Sequence, residues 1–403
     1  MELLTFLGTG NYKTTCYTWQ NQTKETPYVA EALSEFLQPE AVKVFVTEEA
    51  KEMHWESFCN CLTPYVSPSA ISIPSGKSEA EIWEIFEAVV NAVERNSEIS
   101  FDITHAFRSL PMLVLLAGAF LQKAYDVTIQ GVYYGAFEVD RAQPPIFDLT
   151  PALTLLDWLT ATDKFLTTGS SVELGQQLAT VQKDFYKQTK PKKGEFNPTK
   201  LKGFGDRILQ LSQSLEYVRA IDSLDEAANL QNFSTERLGD EIGVFAKPFE
   251  LLLTPIQEQY GQFAVSNPRE SDPKSVLDKQ FLLLRWYVSK QLGTQAILLA
   301  REWIISAFCH LEEMNHLDKE QREIIEKQLS AMIGEQRNLN QSLARHVSNP
   351  KILADTWSKL TEFRNDIAHC QQRKTSISAD KLSRYVKENL IETLTQVFPE
   401  LVV

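Results

Sequence analysis

The amino-acid sequence predicts an α/β Rossmann-like N-terminal domain followed by an all-α C-terminal half. Two patterns predict this division: short apolar runs alternate with helical patterns over residues 1–150, whereas only helical patterns follow Pro151. The length also favours more than one domain, because single cores stop growing at roughly 250–300 residues and this chain has 403. We expect a boundary after residue 150, a helical linker region over 151–275 and a helical domain over 276–403.

The first 150 residues contain candidate strands separated by candidate helices. The strands are short apolar runs that end in turn-type residues: Leu3–Leu7, Val42–Val46, Ala70–Ile73, Ile99–Thr104 and Val127–Ala136. Helical patterns cover Pro27–Leu37, Glu79–Arg95 and Ser109–Tyr125. This alternation predicts a mostly parallel, doubly wound sheet, in which ligands bind beyond the carboxyl ends of the strands. The order of the strands is left open.

After Pro151 long helical patterns follow one another. They cover Leu153–Phe185, Asp206–Asn229, Val276–Glu313, Asp318–His346, Pro350–Gln372 and Ser378–Val397. The segment Tyr186–Gly205 interrupts them and is rich in lysine, with proline and glycine among the lysines. A solvated loop between helices is the favoured interpretation of this basic segment, and a strip that guides RNA is the alternative.

Composition limits the classes of function. The net charge of −13 argues against a broad basic face, so any nucleic-acid contact must be a focused local site. Five cysteines without a CxxC pair predict a reducing, cytoplasmic environment and neither a disulfide framework nor a metal site. The longest apolar run, Pro111–Leu121, is shorter than the roughly 20 residues of a membrane span, and no signal peptide is recognisable. We therefore expect no membrane partner.

The helical pattern that begins after Ser348-Asn349 carries the motif Arg364-Asn365-Asp366-Ile367-Ala368-His369. At about 100° per residue around an ideal helix, Arg364 falls within an apolar stripe. The stripe consists of Leu353, Trp357, Leu360, Ile367 and Ala368. Because burying an unpaired guanidinium costs several kcal/mol, we expect a carboxylate or a phosphate to face Arg364. His369 projects from nearly the opposite side, so both could serve one phosphate only through a bent helix end, a long arginine reach or two helices that meet across a dimer axis.

These side chains suit the cleavage of RNA without a metal or another cofactor. The ribose 2′-OH attacks the adjacent phosphate, a histidine that titrates near neutral pH moves the protons, and an arginine stabilises the phosphorane charge. Asn365 would orient the imidazole or the phosphate. DNA lacks the 2′-OH and would not be cut.

Three loops at strand ends of the first domain form a candidate nucleotide site. After the first strand come Thr9, Gly10 and Asn11, which lack the third glycine of a dinucleotide fingerprint but suit phosphate and ribose contacts. After the fourth strand come Asp102, Thr104, His105, Arg108 and Ser109, at the start of a helix that favours an anion. Tyr133 and Gly135 end the fifth strand, where an aromatic ring would stack on a base.

Both ends of the chain resemble known families. Arg364-Asn365-x-x-Ala368-His369 is similar to the R-x4–6-H motif of HEPN ribonucleases, and Ala300-Arg301-Glu302-Trp303 resembles their first motif-bearing helix, with Glu302 as the candidate partner of Arg364. Phe6-Leu7-Gly8-Thr9-Gly10-Asn11-Tyr12 and Asp102-x-Thr104-His105-x-Phe107-Arg108-Ser109 resemble the CARF sensor domains of type III CRISPR ancillary ribonucleases. The family's glycine between His105 and Phe107 is Ala106 in this chain.

The resemblance implies a homodimer that binds a cyclic oligoadenylate, commonly the tetra-adenylate, between two sensor domains. Binding would activate cleavage of single-stranded RNA in paired HEPN-like domains, as part of antiviral CRISPR defence. Two alternatives remain: a sensor or regulator that does not cut RNA, and a sensor that also degrades its cyclic ligand with help from Thr104 or His105. The ring size of the activator, the RNA sequence preference and any oligomer above the dimer are left open.

Overall fold

A computed structural model describes residues 1–105, 110–190, 194–233, 236–333, 341–372 and 374–402. The chain divides into two compact units, Met1–Asp157 and Trp158–Val403. The first is α/β and the second is helical, as the sequence predicts. In the second unit one hydrophobic core contains side chains from Trp158 to Leu401. The division of this helical part at residue 275 stays a prediction.

The first unit is built on a six-stranded sheet in the order β5-β4-β1-β6-β7-β8. Its strands are β1 (Glu2–Leu7), β4 (Ala41–Val46), β5 (Pro68–Ser72), β6 (Glu98–Asp102), β7 (Thr128–Gly135) and β8 (Ile146–Asp148). The pairs from β5 to β7 are parallel, and β8 is antiparallel to β7. A separate antiparallel hairpin, β2 (Thr15–Trp19) and β3 (Gln22–Thr26), follows β1.

Helices cover both faces of the parallel sheet, because the central strands are apolar on both sides. These helices are α1 (Val29–Leu37), α2 (Glu48–Leu62), α3 (Glu79–Asn91) and α4 (Leu110–Tyr125). One core joins α1 and α2 to the side of β1 that carries Leu3 and Leu7. The other joins α3 and α4 to the side that carries Leu4 and Phe6. The predicted doubly wound sheet is therefore confirmed.

The second unit consists of helices. They are α5 (Thr150–Thr168), which begins in the first unit, α6 (Val172–Gln188), α7 (Leu201–Glu216), α8 (Ala220–Phe233), α9 (Glu236–Phe245), α10 (Lys247–Gly261), α11 (Pro273–Ser289), α12 (Gly293–Leu311), α13 (Lys319–Ala331), α14 (Gln341–Ala344), α15 (Pro350–Ala368), α16 (Ala379–Tyr385) and α17 (Ile391–Val397). A π-helical turn over Val386–Leu390 joins α16 to α17. Within the described ranges no helix is both long and apolar enough to cross a membrane.

Each of three long helical patterns predicted from the sequence is divided into two helices in the structure. The breaks lie at Gly169, Val218 and Gln291, whose φ angles are 78°, 54° and 57°. A left-handed residue ends the hydrogen-bonding pattern of a helix. The predicted start of α15 is confirmed, because the Asn349 Oδ1 accepts the Ile352 N–H at 3.2 Å. The sequence reading missed α2, α9, α10, β8 and the β2–β3 hairpin.

Candidate functional site

The sheet of the first unit changes direction between β1 and β6. The chain passes from β1 to β4 and β5 on one side, and from β6 to β7 on the other. The loops after the two central strands diverge at such a point and leave a crevice at the carboxyl edge, where ligands of doubly wound proteins bind. The loop after β1 contains Gly8–Asn11, and the loop after β6 contains Thr104 and His105. The structure thus brings these two loops to one edge, and the end of β7 at Gly135 lies beside them.

Asp102 ties these loops to the sheet. Its side chain is fully buried. The Thr5 hydroxyl donates to its Oδ2 at 2.8 Å, and the Thr104 N–H and hydroxyl donate to its Oδ1 at 3.0 and 2.6 Å. The Thr104 hydroxyl oxygen in turn accepts the Gly135 N–H at 2.8 Å. Asp102 and Thr104 therefore connect β1, β6 and β7 just below the crevice and position the loops above it.

Tyr12 holds the two loops against each other. Its hydroxyl accepts the Gly8 N–H at 2.9 Å and donates to the Gly8 carbonyl at 2.8 Å. Its ring meets the rings of His105 and His54 edge-on, with centroids 4.6 and 4.8 Å away. A methyl group on Gly8 would lie 3.1 Å from the His105 carbonyl oxygen, so a larger residue would push these loops apart.

His105 is half-buried, and its Nε2 is out of contact with solvent and with any hydrogen-bond partner among the described residues. Burial lowers the pKa of His105, and the Asp102 carboxylate opposes that shift. An uncharged imidazole suits this position, because an imidazolium would cost more free energy to bury.

The other predicted ligand residues fall into three groups. Thr9, Gly10 and Asn11 are exposed on the loop after β1, where a ligand could reach them. Arg108 and Ser109 lie outside the described residues. The expectation of a stacking surface at Tyr133 is corrected, because its ring is 6% exposed and packs edge-on against Trp19 within the core.

Gly135 has a packing role at the same edge. An added methyl group would lie 2.5 Å from Val29 and 3.0 Å from Tyr17. The close approach of α1 and the hairpin to β7 therefore requires glycine here. Its N–H is already used by Thr104, so Gly135 supports the crevice from below.

The sequence of the first unit is similar to that of known proteins. Residues 3–138 match the family model described as "CRISPR system endoribonuclease Csx1, CARF domain". We call Met1–Asp157 the CARF-like unit from here on, because the match covers most of it.

A CRISPR-associated protein of the archaeon Methanocaldococcus jannaschii is also similar to this chain. The two are 31% identical over 130 residues. The alignment covers 30% of this chain and 20% of the relative, so the chain spans only a fifth of that protein's length. Both comparisons therefore relate the CARF-like unit to CRISPR-associated proteins.

The second candidate site lies at the end of α15. Arg364 and Asn365 are half-buried, and His369 is exposed and ends the helix, with its N–H donating to the Asn365 carbonyl at 3.1 Å. Arg364 makes no hydrogen bond or ion pair with any other described residue. Asp366 is 4% exposed, and its Oδ1 has no partner within the described part of the chain. A cation that pairs with none of the described residues and an exposed imidazole thus lie within two turns of one helix end.

The expected pairing of Glu302 with Arg364 is wrong in this structure. Glu302 instead accepts from Arg301 at 2.8 Å and from Arg322 at 2.6 Å. The deeply buried arginine of this region is Arg301, which is 5% exposed, pairs with Glu326 and lies 4.7 Å from the centre of the Trp357 ring. Arg301 is stable in this buried position because two carboxylates and an aromatic face compensate for its lost hydration. A catalytic role for Glu302 stays a prediction.

Sequence reasoning missed two contributors to the crevice. The sequence analysis assigned no role to Tyr12, although Tyr12 is an aromatic residue two positions after Gly10. His54 lies on α2, which the sequence reading did not recognise. Among the described residues no group of three or more His, Cys, Asp and Glu side chains could hold a metal ion.

Proposed function

We propose that this protein is a single-stranded RNA endonuclease of antiviral CRISPR defence that a cyclic oligoadenylate, expected to be the tetra-adenylate, activates. The match of residues 3–138 to a CARF domain carries the proposal. Further support comes from the crevice between the loops after β1 and β6, which offers Thr9, Asn11 and His105 at the ligand-binding edge of a doubly wound sheet.

The guanidinium of Arg364 supports the nuclease assignment. A half-buried arginine that no described residue pairs with is available to a phosphate, which matches its geometry with two parallel hydrogen bonds. We assign it to the scissile phosphate, where it would stabilise the negative charge that develops when the ribose 2′-oxygen attacks phosphorus.

His369 is the proton carrier in this proposal. Exposure at the end of α15 lets the imidazole reach a substrate strand. It accepts the proton of the 2′-OH as the 2′-oxygen attacks phosphorus, and water protonates the departing 5′-oxygen. The products therefore carry a 2′,3′-cyclic phosphate and a 5′-OH. These steps use only protein groups, water and the RNA itself, so we propose a metal-independent reaction.

A homodimer explains how Arg364 and His369, which lie on different faces of one helix, can act on the same phosphate. The two residues are five positions apart, which places them about 140° apart around a helix. Two copies of α15 across a two-fold axis would surround one phosphate with arginine from one copy and histidine from the other. A cyclic ligand with matching symmetry would bind two CARF-like units and stabilise the active dimer; a hundredfold shift requires a preference of roughly 3 kcal/mol.

The test is an RNA cleavage assay with EDTA present, with and without cyclic tetra-adenylate. We expect cleavage only with the activator, and a loss of at least about a hundredfold in His369→Ala and Arg364→Ala. His310→Ala is the matched control, because His310 is an imidazole near the end of another helix of the same unit. Cleavage that survives His369→Ala unchanged would overturn the nuclease assignment.

The same assay separates the alternatives. Binding of the activator without cleavage of any RNA would favour a regulator. Recovery of labelled activator as a linear product would reveal degradation of the ligand. The described contacts do not favour that activity, because the Thr104 hydroxyl is already bonded to Asp102 and Gly135.

A further inference from the structure

The helical unit contains a cavity of about 350 Å³ that neither Arg364 nor His369 lines. It lies among the start of α8, the middle of α11 and α12, and the segment that leads into α13. Its polar lining includes Arg219, Asp222, Arg269, Gln280, Glu302, His316 and Arg322. Apolar side chains such as Ile221, Leu299 and Leu317 complete it. Its volume lies within the range of about 300–1,000 Å³ that small-molecule sites occupy.

One wall of the cavity is built for an anion. The first turn of α8 begins at Ala220, and the N–H groups of Ala220, Ile221 and Asp222 have no hydrogen-bond partner among the described residues. Free N–H groups at the start of a 14-residue helix attract negative charge. Arg219 and Arg269 flank this turn.

These two arginines are only loosely engaged. Their nearest carboxylate oxygens, both on Asp222, are 3.7 Å from the Arg219 Nε and 3.8 Å from the Arg269 Nη2. Both distances exceed hydrogen-bond length, and both side chains are more than half exposed. A phosphate could therefore take up their donors without breaking a strong contact.

A second observation points independently to a ligand. Gln280, on α11, is 6% exposed and lines the cavity, yet its side-chain amide has no hydrogen-bond partner in the described part of the chain. The residue as a whole is buried, but its amide atoms are not sealed off, so they are free to bond to a ligand in the cavity. Glutamine donates and accepts together, which matches the edge of a nucleobase.

The surroundings of Gln280 favour the same class of ligand. The buried Nε2 of His316 also lacks a partner among the described residues. Burial lowers the pKa of His316, and the positive charge of Arg322 and the nearby His310 act in the same direction. Arg322 is paired with Glu302 at 2.6 Å, so the inner cavity offers apolar side chains beside the free amide of Gln280, with an uncharged His316 in its wall.

We propose that this cavity binds a nucleotide, with its phosphate at the start of α8 between Arg219 and Arg269 and its base beside Gln280. The nucleotide is either free or one residue of an RNA strand. The proposal does not depend on RNA cleavage, because binding alone tests it.

The test is isothermal titration calorimetry on the full chain, with and without cyclic tetra-adenylate to occupy the CARF-like unit. The probes are the four nucleoside 5′-monophosphates, inorganic phosphate and a 2′-O-methyl hexanucleotide, which resists cleavage by 2′-OH attack. We expect a monophosphate to bind, and binding to weaken by about tenfold or more in Gln280→Leu and in the double variant Arg219→Ala/Arg269→Ala. Arg285→Ala, which removes an exposed arginine of α11 outside the cavity, should bind normally.

A substitution that is expected to strengthen binding separates a direct effect on the ligand from a loss of structure. Asp222→Asn removes the carboxylate that competes for the two arginines, so it should bind the monophosphate more tightly than the unaltered chain. Competition between the hexanucleotide and the monophosphate would identify an RNA strand as the source, and independent binding would identify a free nucleotide. Binding that is absent, unchanged in the cavity variants or equally strong for inorganic phosphate would overturn the proposal.

Discussion

Asp102 is the residue on which the geometry of the CARF-like crevice depends most directly. It is buried and accepts three hydrogen bonds, two of them from hydroxyl groups. Asp102→Ala would leave the donors of Thr5 and Thr104 without partners at the centre of the sheet. We expect it to lower the free energy of unfolding by about 2–4 kcal/mol, measured by urea denaturation.

Glu98→Ala is the matched control for Asp102→Ala. Glu98 is a carboxylate on the same strand, but it is exposed. We expect its loss to change the free energy of unfolding by less than about 0.5 kcal/mol. Equal effects of the two substitutions would show that the hydrogen bonds of Asp102 do not stabilise the sheet.

His105 makes the free energy of unfolding depend on pH. Burial lowers its pKa in the folded chain, so the unfolded chain binds more protons once the pH falls below the ordinary histidine value of about 6.5. The contribution of His105 to stability is therefore complete at pH 8 and is lost as the pH falls through that value. We expect the free energy of unfolding to decrease from pH 8 to pH 5.5 by less in His105→Gln than in the unaltered chain.

The comparison between the two chains isolates His105. His316 shifts in the same direction for the same reason, so the unaltered chain reports both residues together. The difference between the unaltered chain and His105→Gln at each pH removes the contribution of His316. Parallel pH profiles would contradict an uncharged His105 in the folded chain.

For single residues, the sequence predicts which side chains lie at a site better than it predicts which groups those side chains contact. Asp102, Thr104 and His105 were recognisable because they directly follow a strand of a doubly wound sheet. The partner of Arg364 was not, because helix geometry places a side chain on a face but does not say which neighbouring helix meets that face. The structure pairs Glu302 with Arg301 and Arg322, and those contacts depend on how α12 and α13 pack.

Among the elements, the break between α5 and α6 rests on a single glycine. Gly169 has a φ of +78°, and a Cβ at this position would lie 2.9 Å from the Cη2 of Trp286. Gly169→Ala combines backbone strain with a collision against a buried ring. We expect it to lower the free energy of unfolding by about 1–3 kcal/mol, measured by urea denaturation.

Gly239→Ala should act in the opposite direction. Gly239 lies within α9, is exposed and has open space where a Cβ would be placed. Alanine stabilises a helix interior relative to glycine by up to about 1 kcal/mol. A destabilised Gly239→Ala, or an unaffected Gly169→Ala, would contradict this account of the two positions.

Elements were predictable where the apolar pattern is clear. β1 is a short run that is apolar on both faces, and α1 has one apolar face. α2 does not, because only Ala50, Phe58 and Leu62 are buried along its 15 residues, too few to reveal a period. The β2–β3 hairpin turns at Gln20 with a φ of 53°, where the usual Asn-Gly or Asp-Gly signal is missing. Gly169-Ser170-Ser171 did carry a stop signal, and long periodicity on both sides concealed it.

In the molecule as a whole, an acidic chain handles anionic ligands only where cations are concentrated. The 53 Asp and Glu residues outnumber the 40 Lys and Arg residues, so the long-range field repels RNA. The candidate sites follow this rule, with Arg364 at the end of α15 and with Arg219 and Arg269 at the start of α8. Contacts of this kind are local and brief, which agrees with an enzyme better than with a stable RNA-binding protein.

The dimeric site proposed for Arg364 and His369 predicts how mixed dimers behave. If each phosphate is held by Arg364 of one chain and His369 of the other, a dimer of one Arg364→Ala and one His369→Ala chain keeps one complete site of two. Random exchange at equal concentrations makes half of the dimers mixed, so two inactive variants should together regain about a quarter of the unaltered activity, whereas sites complete within one chain would regain none. The measurement is RNA cleavage at saturating cyclic tetra-adenylate, with differently tagged chains and native mass spectrometry to confirm exchange. Each variant alone at the same total concentration is the control and should stay inactive. Mixtures that stay as inactive as either variant alone would show that one chain holds a complete site, and Arg364 would then have to reach His369 around its own helix.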